Sequence, residues 1–328
     1  MKKYRLAVVG ATGLVGRMML QVLSEKKLPI KKYYLFASSN SAGKIMEFMG
    51  KSHKILELNE DNIKKIKSDF ALFAVNDDIS DKFASLFVLG GTTVIDNSCR
   101  WRMEENVPLV VPEVNFDTVK SSKLISNPNC STIQAVCALA PLNEKFEIKR
   151  VVLSTYQAVS GAGRAGLLDL ENTAKGENPK KFPHAIFDNV LPHIGAVMPC
   201  GCTKEEVKMI CETRKILNCP KLKITATTAR VPIKNCHSIS INVQFKKPCS
   251  PEQAREVLRH SEGIVVLDEP ENNIYPLPEI ANGRDEVYVG RIRKDFSVKY
   301  GINLWVVADN LRKGAATNAA QILERLLR

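Results

Sequence analysis

A chain of 328 residues, 45% hydrophobic and 25% charged, has room for two compact domains and is too apolar for a disordered protein. No run approaches the roughly 20 apolar residues that a membrane span needs, so no membrane partner is expected. The net charge of +12 is spread without a long basic run or aromatic interleaving, which suits a solvated surface and small anionic ligands rather than nucleic acid.

The elements follow in chain order. Tyr4 to Gly10 reads as a buried strand. Its apolar run is too short for a signal peptide and turns directly into a glycine loop, so a cytoplasmic protein is expected. Leu14 to Leu23 carries apolar residues at helical spacing, while Tyr33 to Ala37, Phe70 to Val75 and Thr92 to Asp96 are strand-like. That alternation implies an α/β, Rossmann-type dinucleotide-binding domain on a parallel sheet, running to about Asn129. From Val151 onward, KRVVLSTYQAVSG, LKITATTARVPI, SISINVQF and EVYVGRIR are longer alternating strands, with one helix, TKEEVKMICETRKIL, among them. They predict an α+β domain with a mixed, largely antiparallel sheet. The tail from Asp309 reads as an amphipathic helix that returns to the first domain. The expected division is 1–129 with 308–328, and 130–307.

The string Gly10-Ala-Thr-Gly13-Leu-Val-Gly16 lies between the first strand and the first helix. There, glycines let the backbone turn tightly against a pyrophosphate, and the helix N-terminus offers N–H groups and a positive dipole end. The second strand ends Ala37-Ser38-Ser39-Asn40-Ser41-Ala42-Gly43-Lys44, without the acid that usually holds the ribose hydroxyls of NAD. Hydroxyl, amide and lysine donors suit the 2′-phosphate of NADP; a polar loop of no consequence is the other reading.

Ser126-Asn127-Pro128-Asn129-Cys130-Ser131-Thr132 precedes an apolar helical run, Ile133 to Leu142. The Asn-Pro-Asn turn places Cys130 at a helix start, where the dipole stabilises a thiolate and makes it a nucleophile candidate. Most cysteines in such a chain are small buried hydrophobes instead. The nine cysteines are an odd number scattered through the chain, so free thiols are expected rather than a disulfide framework. Cys200 and Cys202 have no companion pair at zinc-ligand spacing, so no metal is expected. Of five histidines, only His237 lies in a clustered context, the loop Arg230-Val-Pro-Ile-Lys-Asn-Cys-His237-Ser238; composition alone leaves catalytic and structural roles open.

Eight blocks in order now carry a resemblance across essentially the whole chain: GATGLVG, VPLVVPEVN, NPNCSTIQ, STYQAVSGAG, the EE-V-K-M helix, ARVP with HS, VGRIRKD and DNLRKGAA. The chain resembles the aspartate-semialdehyde dehydrogenases of bacterial type. The resemblance implies reversible, phosphate-dependent reduction of L-4-aspartyl phosphate to L-aspartate 4-semialdehyde with NADP, in biosynthesis of lysine, threonine, methionine and isoleucine. It implies that Cys130 is the nucleophile, His237 the acid–base residue, and that Gln157 positions the acyl group. Arg230 would hold the substrate α-carboxylate and Glu205 its ammonium group, while Arg102, Lys208 and Asn129 form the phosphate site. Gly10, Thr12, Gly13, Leu14, Val15, Asn40, Ser41, Ser160, Gly161 and Asn310 would serve NADP. A homodimer or homotetramer is implied as well.

Two positions depart from the family pattern. Asn40 stands where the family often has arginine, and Asn76-Asp77-Asp78 replaces a small Gly/Ser run. The competing readings are an N-acetyl-γ-glutamyl-phosphate reductase, an acyl-CoA reductase on the same scaffold, and a non-catalytic NADP-binding sensor or structural subunit.

Overall fold

A computed structural model describes residues 2–328. The chain divides into two compact units, one running to Pro128 and resuming at Ala315–Arg328, the other Asn129–Gly314. Asn129 and the segment 308–314, expected in the first domain, fall in the second unit. There Asp309 accepts hydrogen bonds from Asn235 Nδ2 at 2.8 Å and Gly283 N at 2.9 Å.

The first unit alternates strands and helices: β1 (Tyr4–Val9), α1 (Leu14–Lys26), β2 (Ile30–Ala37), the hairpin β3 (Ile45–Phe48) and β4 (Lys51–Lys54), β5 (Leu56–Glu57), α2 (Glu60–Lys65), β6 (Phe70–Phe73), α3 (Asp77–Leu89), β7 (Thr93–Asp96), α4 (Pro112–Asn115) and β8 (Leu124–Ser126). The sheet order is β5-β2-β1-β6-β7-β8 and every pairing in it is parallel. Leu6–Val9 and all of β6 and β7 are buried, as strands covered on both faces must be. Strand order reverses at β1, so the loop after β1 opens at the switch point where such sheets bind ligands.

The second unit contains α5 (Cys130–Phe146), β9 (Ile148–Gln157), α6 (Gly163–Thr173), α7 (Lys204–Ile216), β10 (Lys223–Arg230), β11 (His237–Phe245), α8 (Pro251–Arg259), β12 (Ile264–Val266), α9 (Pro278–Ala281), β13 (Val287–Asp295) and β14 (Gly301–Ala308). Its sheet, β10-β9-β11-β14-β13-β12, is mixed. The outer pairings β10/β9 and β12/β13 are parallel, and β9/β11, β11/β14 and β14/β13 are antiparallel. Placing β10 beside β9 in parallel brings both C-terminal ends together, with Arg230 opposite Gln157.

The tail is not one helix from Asp309. A π-helical turn, Arg312–Ala316, precedes α10 (Thr317–Leu326). Ala319, Ala320, Ile322 and Leu323 bury one face of α10 in the first unit's core with Leu20 and Leu23, and Lys26 pairs with Glu324 at 2.8 Å. Among the described residues, no helix is long and apolar enough to cross a membrane.

Two glycines shape the first loop. Gly10 has φ +84°, and a Cβ there would lie 2.3 Å from the Ala74 carbonyl oxygen. A Cβ on Gly16, inside α1, would lie 2.1 Å from the Gly10 carbonyl oxygen. Alanine normally stabilises a helix interior relative to glycine by about 1 kcal/mol, but here the backbone contact reverses the sign. Gly16→Ala should destabilise the protein by about 1–3 kcal/mol, the usual size of overpacking, and a thermal melt that rises instead would refute the close approach.

Candidate active site

The Asn-Pro-Asn turn ends on Asn129, the N-cap of α5. Its Oδ1 accepts from Ser131 N at 3.0 Å and Thr132 N at 3.2 Å, which fixes the helix start and sets Cys130 as the first helical residue. Two carboxylates of α7 hold Asn129 from outside. Glu205 Oε1 accepts from its Nδ2 at 2.9 Å, and Glu212 Oε2 accepts from its backbone N–H at 2.7 Å. On another side, a Cβ on Gly314 would lie 2.9 Å from Cys130 Cβ, so the backbone there forms a wall against Cys130.

Gln157 ends β9 and is buried, with Nε2 donating to Ser131 Oγ at 2.8 Å and to Glu205 Oε1 at 3.0 Å. Burial works against the charge of Glu205, but Lys208, the Gln157 and Asn129 amides and Arg230 outweigh it and hold the carboxyl below its usual range. Lys208 Nζ lies 3.4 Å from Glu205 Oε2. Arg230 ends β10 and is buried; Nη1 donates to the Ala158 carbonyl at 2.8 Å, and Nε has no hydrogen-bond partner. Burial lowers its affinity for the proton, while Cys130 and Glu205 pull the other way.

His237, expected in a loop, is the first residue of β11 and is fully buried. Its Nδ1 accepts from Ala158 N at 3.0 Å, so the neutral ring carries its proton on Nε2, which has no partner. Burial, reinforced by the Arg230 charge, pushes the imidazole down to about 3, against a weaker upward pull from Glu205. Gly161 lies against both side chains: a Cβ there would lie 2.8 Å from Arg230 Nη1 and 3.3 Å from His237 Nε2. The second unit thus gathers Cys130, Asn129, Gln157, Glu205, Lys208, Arg230 and His237 around one polar centre.

The remaining expected residues lie elsewhere in their units. Ser160 and Asn310 bond to each other at 2.9 Å, and Asn310 Oδ1 also accepts from Cys236 N at 2.9 Å, so both side chains brace the second unit. In the first unit, Thr12, Gly13, Leu14 and Val15 form the start of α1. Gly13 sits at the N-cap without a side-chain cap, and no acid occupies the first turn. That N-terminus and the glycine cradle fit the phosphates of a dinucleotide. Asn40 and Ser41 lie in a short 3-10 turn after β2, Asn40 exposed. Arg102 donates to the carbonyls of Asn97 (2.7 Å) and Asn127 (3.0 Å). The unexpected acids have a local explanation: Asn76 caps α3 by accepting from Ile79 N, and Asp77 and Asp78 fill its first turn, where the helix dipole favours them.

Residues 5–122 match the NAD-binding domain of semialdehyde dehydrogenases, and 139–313 match their dimerisation domain. An aspartate-semialdehyde dehydrogenase of Aquifex aeolicus is 52% identical, covering 99% of this chain and 98% of its own. The chain belongs to the aspartate-semialdehyde dehydrogenase family. The enzyme of Campylobacter jejuni is 43% identical over 99% of this chain and 98% of its own. Aspartate-semialdehyde dehydrogenase II of Vibrio cholerae, also solved in complex with ASA, has a TM-score of 0.94 at 40% identity, covering 100% of this chain and 99% of that one. The Candida albicans enzyme, solved with NADP, has a TM-score of 0.79 at 27% identity, covering 99% and 98%.

In this aspartate-semialdehyde dehydrogenase family member, two site residues lay outside the sequence reading. Glu212 lies about two helical turns beyond Glu205 on the same face of α7, a spacing that could have flagged it. Gly314 stands inside the DNLRKGAA block, but nothing local marks it as a neighbour of Cys130.

The depressed imidazole has a measurable consequence. Below about pH 6.5 an unfolded chain binds a proton that folded His237 refuses, so this contribution to stability is complete above 6.5 and is lost as pH falls toward 3. Between about pH 7.5 and 5 the wild type should lose about 2 kcal/mol more in urea melts than His237→Gln. Parallel pH dependence in the two proteins would mean the ring is not held neutral.

Proposed function

We propose that the chain interconverts L-4-aspartyl phosphate and L-aspartate 4-semialdehyde, phosphate-dependently and through a thioester on Cys130. The observation that carries this reading is the pair of buried donors without partners, Arg230 Nε and His237 Nε2, beside a cysteine at a helix N-terminus. Buried donors left unmatched are unfavourable unless a ligand satisfies them, and an acidic substrate with a reacting carbonyl does so.

The thiolate of Cys130, stabilised by the start of α5, attacks the acyl carbon. The acyl C–O bond breaks and phosphate leaves, received by Lys208, Arg102 and Asn129. Gln157 orients the acyl group, Arg230 holds the α-carboxylate, and Glu205 holds the ammonium group. A nicotinamide dinucleotide, when bound, would supply the hydride that the thioester carbon needs. His237 would lend its Nε2 proton to the oxygen of that carbon as charge builds there and take it back as the carbonyl re-forms, while the C–S bond breaks to restore the thiolate and free the aldehyde.

NADP is the cofactor in this reading, supported by the acid-free turn at Ser38–Ser41. The preference over NAD is modest because Asn40 offers an amide rather than a guanidinium. Gly10, Thr12, Gly13, Leu14 and Val15 would line the phosphates, Asn40 and Ser41 the 2′ position, and Ser160, Gly161 and Asn310 would complete the dinucleotide contacts. The matched dimerisation domain supports a homodimer or homotetramer. Nine cysteines without a disulfide suit the cytoplasm.

The deciding assay is phosphate-dependent formation of NADPH from aspartate semialdehyde, with N-acetylglutamate semialdehyde as control. Cys130→Ser should bind NADP normally and lose turnover, because a serine hydroxyl is far less ionised than a thiol. Turnover within about tenfold of wild type would remove Cys130 from the role.

Lys208 and Arg230 separate the two anion sites. Lys208→Leu should raise KM for phosphate by roughly 10–150-fold, the loss of one charge-assisted contact, and leave the aldehyde nearly unaffected. Arg230→Leu should do the reverse. Arg102 is a poorer probe because it also holds two backbone carbonyls. An unaltered phosphate KM in Lys208→Leu would reopen the acyl-CoA reading.

A further inference from the structure

The stretch 177–202 between α6 and α7 has little regular structure and no role so far. Its course is nevertheless tightly fixed. Asp169 on α6 is buried and accepts three successive backbone N–H groups, from Lys180 at 2.9 Å, Lys181 at 2.7 Å and Phe182 at 2.8 Å. Burial opposes the charge on Asp169, yet those three donors hold its carboxyl below the usual range. Farther along, Leu191 forms a two-bond backbone bridge to Arg230, N to O at 2.9 Å and O from N at 2.8 Å.

The same stretch therefore reaches Arg230 twice. Leu191 pairs with its backbone, and the Phe182 ring covers its guanidinium, with Cζ of Arg230 6.0 Å from the ring centroid. Phe182 is itself packed with Val159, Leu170, Ile186 and Leu191. Gly166 makes room for it: a Cβ there would lie 3.3 Å from Phe182 Cζ and 2.3 Å from the Val159 carbonyl oxygen.

We propose that Phe182, tethered by Asp169, is a positioning residue that acts through Arg230 to set affinity for the substrate's carboxylate. The inference rests on the assignment of Arg230 to that carboxylate. A ring over a guanidinium attracts the cation and lowers the water around it, which strengthens its pairing with a carboxylate. Nη1 is already fixed on the Ala158 carbonyl, so ring and carbonyl together leave the guanidinium little freedom to turn.

The experiment measures KM for aspartate semialdehyde, phosphate and NADP, together with kcat, in Phe182→Leu, Phe182→Trp, Asp169→Asn and Arg230→Leu. Phe182→Leu should raise KM for the aldehyde roughly 5–20-fold, the size of a partly desolvated cation–π contact, with kcat and the other two KM values within about twofold. Asp169→Asn should move the same constant in the same direction, and Phe182→Trp should restore it, since indole is the better partner for a cation. An unchanged aldehyde KM in Phe182→Leu, with Arg230→Leu impaired as expected, would overturn the inference alone. A rise shared by all three substrates would overturn it too, since that is general damage to the fold. An Arg230→Leu variant with unaltered aldehyde KM would overturn the Arg230 assignment and this inference with it.

Discussion

Burial of three carboxylates along α7, Glu205, Glu206 and Glu212, is the constraint around which the second unit is arranged. A charge taken out of water is strongly unfavourable unless its oxygens find donors, and each of these acids has a particular answer. Glu206 closes a capping box on Thr203 N at 2.7 Å and accepts from Thr228 N at 3.1 Å, two residues before Arg230 on β10. Glu205 takes the amides of Asn129 and Gln157 and faces Lys208. Glu212 takes the backbone N–H of Asn129. One helix thereby fixes the end of β9, the end of β10 and the turn that presents Cys130.

Around that frame, close backbone approach does what side chains do in a hydrophobic core. Gly161 and Gly314 leave room for Arg230 with His237 and for Cys130, respectively, and in each case a single methyl group would intrude. The π-helical turn that contains Gly314 is the kind of local irregularity that recurs at functional sites, because it re-aims the backbone without breaking the helix. Buried donors without partners are the energetic counterpart: the unliganded site is less favourable locally and is ready-formed for anionic and carbonyl oxygens.

The first unit shows how two apparent departures from the family pattern fit physical rules. Asp77 and Asp78 fill the first turn of α3, and Asp77 accepts from Cys99 N at 2.8 Å, so their charges are engaged locally. Asn40 lies exposed in a short 3-10 turn that offers hydroxyl and amide groups and no carboxylate.

The sequence alone determined whatever depends on neighbours along the chain. The parallel strands of the first unit announce themselves as short apolar runs, the glycine loop by its place between strand and helix, and the position of Cys130 at a helix start by the Asn-Pro-Asn turn before it; burial on both faces, tight turning and N-capping all act within a few residues. It misjudged the tail, where a π turn interrupts the periodic pattern, and His237, whose loop-like neighbours end in a strand. Only the tertiary structure decided which groups meet. Glu212 and Asn129 are 83 residues apart, and Arg230 meets Ala158 across 72. Phe182 reaches Arg230 from a stretch whose residues carry no periodic signal. Hydrogen bonds and ring contacts between distant segments impose no spacing on the sequence around them, so the partners become visible only once the sheet has brought the strand ends together.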